Sequence, residues 1–502
     1  MANTAVWVTI GIYIAVIVII GISAGRKSKN VADLTVGGRS AGAWLSALSY
    51  GTAYFSAVMF VGYAGGTGKS FGLWGIAAGI GNAVFGAYLA WKLLARKTRD
   101  ISGRLKIKTM PEFFEKRYGS AKLKTFAAIV IFVFLVPYSA SVYKGIASVA
   151  EVLLGIPNSV CMIIIAVMAM LLLVLGGYLV QARADFFQGI VMMGGVTLLI
   201  IYVIKSGPVG GFAGIAQYAK TPLGLPKLSS SQAVSLMATV LMTSFGTWGL
   251  PQMVQKFFGI KDDKQAKRGI SISTFFCMLI AGGGYFIGSL CYMFFTKETL
   301  PAQDYIVPEM LARVGLPSVL MGVVLVLLLS ASVSTLCSVS LTACSILSID
   351  LIRPNTKTEI TDKNAANLTK ILCAVFVVMS YIVANTDTPI LDMMSYSWGI
   401  ISGSFLAPYM LALYRKKMNL KSAWSGVITG FVIALFPAAC RILTICGSTA
   451  DAVVSLAGKG PVFACAAMIA SIIVCLIVSS ATAEKEIPEN IEFFYNGIVE
   501  KE

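Results

Sequence analysis

The sequence predicts an all-α integral membrane protein of about thirteen transmembrane helices, and three observations carry that expectation. Of its 502 residues, 57% are hydrophobic and 13% charged, with a mean hydropathy of +0.81. A water-soluble domain usually carries about 25% charge, so this much apolar surface has to face lipid. Uncharged runs recur from Ala5–Ala24 to Pro461–Ala481, each of about 20 residues and long enough as a helix to cross a ~30 Å hydrocarbon layer. The third observation is where the positive charge lies. Of 40 Lys and Arg residues, 31 fall on one side of the alternating path, in the loops near 25–39, 92–124, 181–185, 255–270, 351–370 and 415–421 and in the tail. Basic loops stay cytoplasmic, so the net charge of +17 signals membrane orientation and not nucleic-acid binding.

Taken in order, the first run has no basic residue before it and Arg26, Lys27 and Lys29 after it. That places the N-terminus outside and argues against a cleaved leader. The second run carries Gly51, Gly62, Gly65 and Gly66, and the seventh reads FGTWGLP over 245–251, so both helices are expected to break. In lipid, unwound backbone survives only where protein covers it or it lines a cavity, so each break marks a site. The breaks lie five crossings apart, an odd offset that makes the two segments run in opposite directions, as in an inverted repeat. Between them the loop of 95–124 holds TMPEFFEKRYG at 109–119, where Thr109, Pro111 and Glu112 suit a helix start lying along the inner face. The chain reads as one transporter domain over 1–483, with repeat units at about 42–207 and 232–414, and a short charged cytoplasmic tail over 484–502. Its ten cysteines are scattered through apolar segments without a CxxC pair, which indicates packing and neither a zinc site nor disulfides.

The chemistry is narrowed by what is missing. There is no histidine, and no Asp or Glu falls near the middle of a run, which counts against proton relays, general acid–base catalysis and an enzyme. A channel would want a continuous polar pore and usually subunit symmetry. A sodium ion, by contrast, needs only neutral oxygens, and the ninth run offers Ser334, Thr335, Ser338, Thr342 and Ser345 at helical spacing. Serine and threonine also line ordinary helix contacts. Lys144 stands about ten residues, or about 15 Å, inside the end of the fourth run near Gly155, too far for its side chain to reach the interface. It is expected either to meet an anionic substrate group on the substrate route or to face a structural cluster of carbonyls.

Five segments carry a resemblance: VGGRSAGAWLSALS at 36–49, TMPEFFEKRYG at 109–119, RADFFQG at 183–189, GLPQMVQKFFGIKDDKQAKRG at 249–269 and SASVSTLCSVSLTACSILSIDL at 330–351. Together and in this order they resemble the sodium:solute symporter family over nearly the whole chain. The resemblance implies thirteen helices of the leucine-transporter type with a 5+5 inverted repeat, Na+ as coupling ion, a small organic solute, residence in a plasma membrane such as the bacterial inner membrane, and no organic cofactor. It also implies that sodium sits between the second and ninth crossings on Thr52, Phe55, Ala331, Ser334 and Thr335. Where some relatives have an Asp in the break, this chain has Tyr54, followed by Ser56 as in the family. Members with a second sodium use an Asp before the sixth crossing and two more hydroxyls on the ninth. Here Asp185 and Ser338 are present but Cys337, a poor ligand for a hard cation, replaces one hydroxyl. One sodium per cycle is expected, with Asp185 on the ion's path or at a solvated helix start. The same ligand set also fits a transporter that uses another ion or none.

A solute pocket is expected beside the breaks, drawing on Tyr50, Tyr54, Tyr138, Thr243, Thr247, Trp248 and Gln252, with Trp398 on a later helix. Family substrates are amino acids, vitamins, sugars and monocarboxylates. Proline transporters of the family place an aromatic pair where this chain has Thr243 and Thr247, which counts against proline.

Overall fold

The computed structural model describes residues 4–25, 35–356, 361–386, 388–447, 449–482 and 494–495, and among them it is helical apart from turns and one isolated parallel bridge, Ala41 to Ile260. The longer helices are α1 (Thr4–Gly25), α2 (Ala43–Tyr54), α3 (57–71), α4 (76–104), α5 (Met110–Tyr118), α6 (Ala121–Leu154) and α7 (Asn158–Lys205). They continue as α8 (Ser230–Phe245), α9 (Pro251–Phe258), α10 (Asp263–Ser289), α11 (Ser318–Ile346), α12 (Asp362–Ala384), α13 (Ile390–Tyr414), α14 (Leu420–Ile445) and α15 (Gly460–Thr482). By length and composition nine described helices can cross a membrane, or ten if the bent pair Ser230–Gly249 and Pro251–Phe258 is one span. This coarser count differs from thirteen partly because α3 and α4 join as one helical stretch, Met59–Arg104, through a turn at Gly72–Gly75. Gly72 has φ +56°, and a Cβ there would lie 2.4 Å from the Leu223 carbonyl oxygen, so only glycine fits. At 1.5 Å per residue the 48 residues of α7 would span about 72 Å, more than twice a hydrocarbon layer.

The helices are inverted relative to those of a water-soluble protein. On α12 the exposed stripe is Ile371, Val375, Val378 and Ile382, while Thr369, Cys373, Phe376 and Ser380 are buried. Small and polar residues inside, with large apolar ones outside, are what lipid selects. On α14 a Cβ at Gly430 would fall 1.9 Å from the Gly403 carbonyl oxygen of α13, so glycine alone permits that backbone approach. Burial ranks the helices: 83% of the most apolar stretch of the span containing α11 is buried, against 22% for α1. α11 packs on α7 and α6, with α2 beside it, and forms the axis around which the site is built.

Both expected breaks are present, although not every glycine that suggested the first lies at it. α8 passes through a 3-10 turn at Gly246–Gly249, Leu250 is extended, Pro251 opens α9, and the two halves are bent by 48°. The first break lies between α2 and α3, where Phe55 is extended (φ −110°, ψ 113°). Gly62, Gly65 and Gly66 lie within helix α3 instead, against Ile390, Ile306 and Gln303; they serve close packing, not unwinding. At the other end of α2, the Ala41 N–H donates to the Gly259 carbonyl (3.1 Å) and the Lys261 N–H to the Ala41 carbonyl (3.0 Å). Arg39 crosses the same place, donating to Ser102 Oγ, the Phe258 carbonyl and the Ile107 carbonyl at 2.7–3.1 Å.

α5 forms as expected: Thr109 Oγ1 accepts from the Glu112 N–H, Pro111 lies in the first turn, and Gly119 closes the helix at φ +66°. Its Phe113 and Arg117 rest against Phe494 and Tyr495 of the tail, whose other residues lie outside the described set, as do 26–34 and 357–360 of the expected loops. One expected loop is helix instead, and another is more helical than the expected 109–119. Residues 181–185 continue α7 and bury both Gln181 and Asp185, and much of 92–124 belongs to α4, α5 and α6.

Candidate sodium and solute site

A helix that stops inside a protein leaves its last carbonyls without N–H partners. At the end of α2 the Thr52 carbonyl is one of these, and it accepts a hydrogen bond from Thr335 Oγ1 on α11 at 3.2 Å; the same hydroxyl lies 3.0 Å from the Ala331 carbonyl. Thr52, Ala331 and Thr335 are thus brought together, with Phe55 three residues further into the break. Ser334 is offset from Thr335 by one helical step and points to a different neighbour, donating to Asp185 Oδ1 on α7 at 2.6 Å. A hydroxyl that gives its hydrogen to a carboxylate keeps its lone pairs for a cation. Ser338, one turn along, accepts from the Gln181 amide. Cys337 faces elsewhere, its thiol 3.7 Å from the Ala169 carbonyl.

Asp185 is not at a solvated helix start. It is fully buried, and Oδ2 accepts from Ser49 Oγ at 2.5 Å and lies 3.3 Å from Lys256 Nζ, which also donates to Ser49 Oγ at 2.8 Å. Lys256 falls in the segment expected as a basic cytoplasmic loop, yet it is 2% exposed and enclosed by α2, α7 and α9. Asp185 lies in the first turns of the candidate span Val180–Lys205 and not near its middle, yet it is a buried acid and not a solvated one. Taking away one member of such a buried pair usually costs about 3–5 kcal/mol, because the other charge is left without compensation. A signal for Lys256 was in the sequence: within PQMVQKFFG it is flanked by Val254, Phe257 and Phe258, an unusual setting for a solvated lysine.

The expected solute residues fall into two groups. In the first, the polar groups are engaged by protein. Tyr50 Oη donates to the Gly86 carbonyl (2.6 Å), Tyr54 Oη to the Thr243 carbonyl (2.5 Å), Thr243 Oγ1 to Asn82 Oδ1 (2.9 Å), Thr247 Oγ1 to the Ser244 carbonyl (2.8 Å) and Trp248 Nε1 to the Phe85 carbonyl (2.9 Å). The Tyr50, Thr243 and Trp248 bonds tie α2, α8 and the turn after it to α4, the Tyr54 bond ties α2 to α8, and the Thr247 bond is local. The second group is Gln252, Tyr138 and Trp398. Gln252 is 1% exposed, and neither its amide oxygen nor its nitrogen has a hydrogen-bond partner among the described residues. Buried polar groups are nearly always paired, so this carboxamide has its full hydrogen-bonding capacity unused by the protein. The Tyr138 ring meets Trp398 at 5.6 Å, and Trp398 meets Tyr54 at 6.1 Å.

Lys144 is placed apart from both groups. Its ammonium donates to the backbone carbonyls of Thr386 and Thr388 between α12 and α13, the structural cluster that was one of the two expectations. It lines a cavity of about 300 Å³ with Asn158, Asp304, Tyr305 and Asn385, and none of the other expected solute residues lines that cavity. Asp304 accepts from the Ile390 N–H at 3.2 Å, and burial raises its carboxyl above the usual range.

Solved structures of similar shape are transporters. A Na+-coupled sialic acid symporter in a substrate-bound outward-open state superposes with a TM-score of 0.76 at 18% identity, covering 95% of this chain and 98% of that one. A nucleobase-cation-symport-1 family transporter, closed on bromovinylhydantoin, gives 0.52 at 14% identity over 93% and 99%. These establish a leucine-transporter-type fold. By sequence, the osmoregulated proline transporter OpuE of Bacillus subtilis is 27% identical over 85% of this chain and 87% of its own length. A sodium/proline symporter of Staphylococcus aureus is 26% identical over 86% of each. The family model of the sodium:solute symporters matches residues 35–430. That stretch holds both breaks, Asp185 and all of α11, and the chain belongs to the sodium:solute symporter family.

Proposed function

We infer that this membrane protein is a sodium-coupled symporter that imports a small organic solute by alternating access, and the observation that carries the reading is the meeting of α2 and α11 at Thr52, Ala331 and Thr335. Sodium is bound there on the carbonyls of Thr52, Phe55 and Ala331 and the hydroxyls of Ser334 and Thr335. Asp185 orients the Ser334 hydroxyl from behind, and Ser338 lies along the ion's path. The two breaks, at Phe55 and Leu250, support a 5+5 repeat over about 42–207 and 232–414 within thirteen crossings, with the N-terminus outside and the tail cytoplasmic. Ser334→Ala or Thr335→Ala raises the sodium concentration needed for half-maximal uptake in proteoliposomes by about tenfold, the worth of one lost interaction of about 1.4 kcal/mol. Unchanged sodium dependence in both variants rejects the assignment.

The solute is held at Gln252, with Tyr138 and Trp398 forming an aromatic wall. A carboxamide offers two donors and an acceptor, which suits a solute carrying a carboxylate, amide or hydroxyl. A second reading takes proline itself, which the names of two relatives favour. Against it, Thr243 and Thr247 stand at the seventh crossing, bonded to Asn82 and to backbone. A thermal-shift screen with proline, other amino acids, sugars, vitamins and monocarboxylates, each with and without sodium, decides between them. Stabilisation by proline that requires sodium establishes the second reading.

A further inference from the structure

Lys256 puts a positive charge in the middle of an oxygen-rich seam. Gln181 and Asp185 sit one turn apart on α7, Ser338 and Ser334 one turn apart on α11, and each pair is joined across the helices by a hydrogen bond. Ser49 of α2 closes the seam from a third side, and the Tyr178 ring lies 5.3 Å from the ammonium. A fully buried carboxylate surrounded by hydroxyls and an amide is a setting in which a hard monovalent cation is bound. Among the described residues the cation within ion-pair distance of Asp185 is Lys256.

We propose that Lys256 is a built-in counter-cation that occupies the Asp185 seam in place of a second sodium ion, and so holds this chain to one exchangeable sodium. The proposal rests on the sodium reading above and deepens it. A tethered ammonium neutralises the carboxylate without the entropy cost of capturing a free ion. It also cannot be released to the other side of the membrane. The pair Lys256–Asp185 therefore travels with the protein, and the charge carried per cycle is that of the ion at Thr52 and Thr335 alone.

The test counts sodium ions on the purified full chain, by radiolabelled sodium at saturation and by the sodium dependence of thermal stability. Wild-type protein takes up one ion. Lys256→Met frees Asp185 and takes up two, and the Hill coefficient for sodium moves from about 1 to about 2. Lys256→Arg keeps one. The double variant Lys256→Met/Asp185→Asn has neither charge, while its Asn oxygen still accepts from Ser334 Oγ; it returns to one ion, held more weakly, and folds without the burden of an uncompensated carboxylate. Should Lys256→Met be too unstable to purify, Lys256→Gln carries the same count. A single ion on wild type and still a single ion on Lys256→Met or Lys256→Gln overturns this proposal alone. A double variant that binds none also overturns it, since Asp185 would then belong to the first sodium. Wild-type protein that binds no sodium removes the sodium reading, and this proposal with it.

Discussion

At the scale of single residues, Gln252 gives a sharp contrast between binding and packing. An unpaired buried amide destabilises the solute-free protein by about 1–3 kcal/mol, so Gln252→Leu, similar in volume, raises the melting temperature without solute. The same change removes the solute's partner, so KM for uptake rises by about tenfold or more while the sodium response stays as in wild type. A lower melting temperature with an unaltered KM would mean that Gln252 is a packing residue. Lys144→Met should act the other way: loss of the two carbonyl contacts between α12 and α13 lowers thermal stability and leaves solute preference unchanged. The residue scale is also where the sequence was hardest to read. Lys256 stood beside a basic segment and resembled a solvated charge; its apolar flanks hinted at burial, but its partner Asp185 is brought by α7 from a distant part of the chain, which no local pattern records. Helical spacing showed a stripe of hydroxyls on α11, but Ser and Thr are frequent along that helix, and it was the resemblance that singled out Ser334 and Thr335.

At the scale of elements, the breaks were legible because glycine and proline are local signals. Pro251 fixed the start of α9 through its missing N–H, and the second break lies where the sequence placed it. The first lies at Phe55, where the resemblance placed it, while the glycines that drew attention to this crossing allow close packing and are not themselves unwound. Caps were equally readable. Thr109→Ala removes the bond to the Glu112 N–H and should cost about 1 kcal/mol, measured as a fall in the denaturation midpoint. An unchanged midpoint would mean that the packing of α5 on α6, and not its cap, sets its stability.

For the molecule as a whole, composition predicted an all-helical membrane protein, and that coarse statement holds, while loop boundaries did not follow charge. Helices α4 and α7 carry charged residues well past the points where a loop was expected, because burial between helices and not local composition decides where a helix ends. The proposed orientation has a direct check. Of the ten cysteines, Cys446 is the exposed one, and it follows α14 on the side assigned to the outside. A membrane-impermeant maleimide added to intact cells should label wild-type protein, and Cys446→Ser should abolish the label. Labelling only after the membrane is opened would invert the assignment.

The backbone bridge between Ala41 and residues 259–261, with Arg39 across it, fastens the segment leading into α2 to the end of α9. α2 runs from this bridge to the break at Phe55, and α9 runs from the break at Leu250 to the bridge, so the two half-helices are joined at the ends away from their breaks. Spin labels at 41 and 260 should therefore keep one distance in the presence and absence of sodium and solute, while the distance from either label to α11 changes.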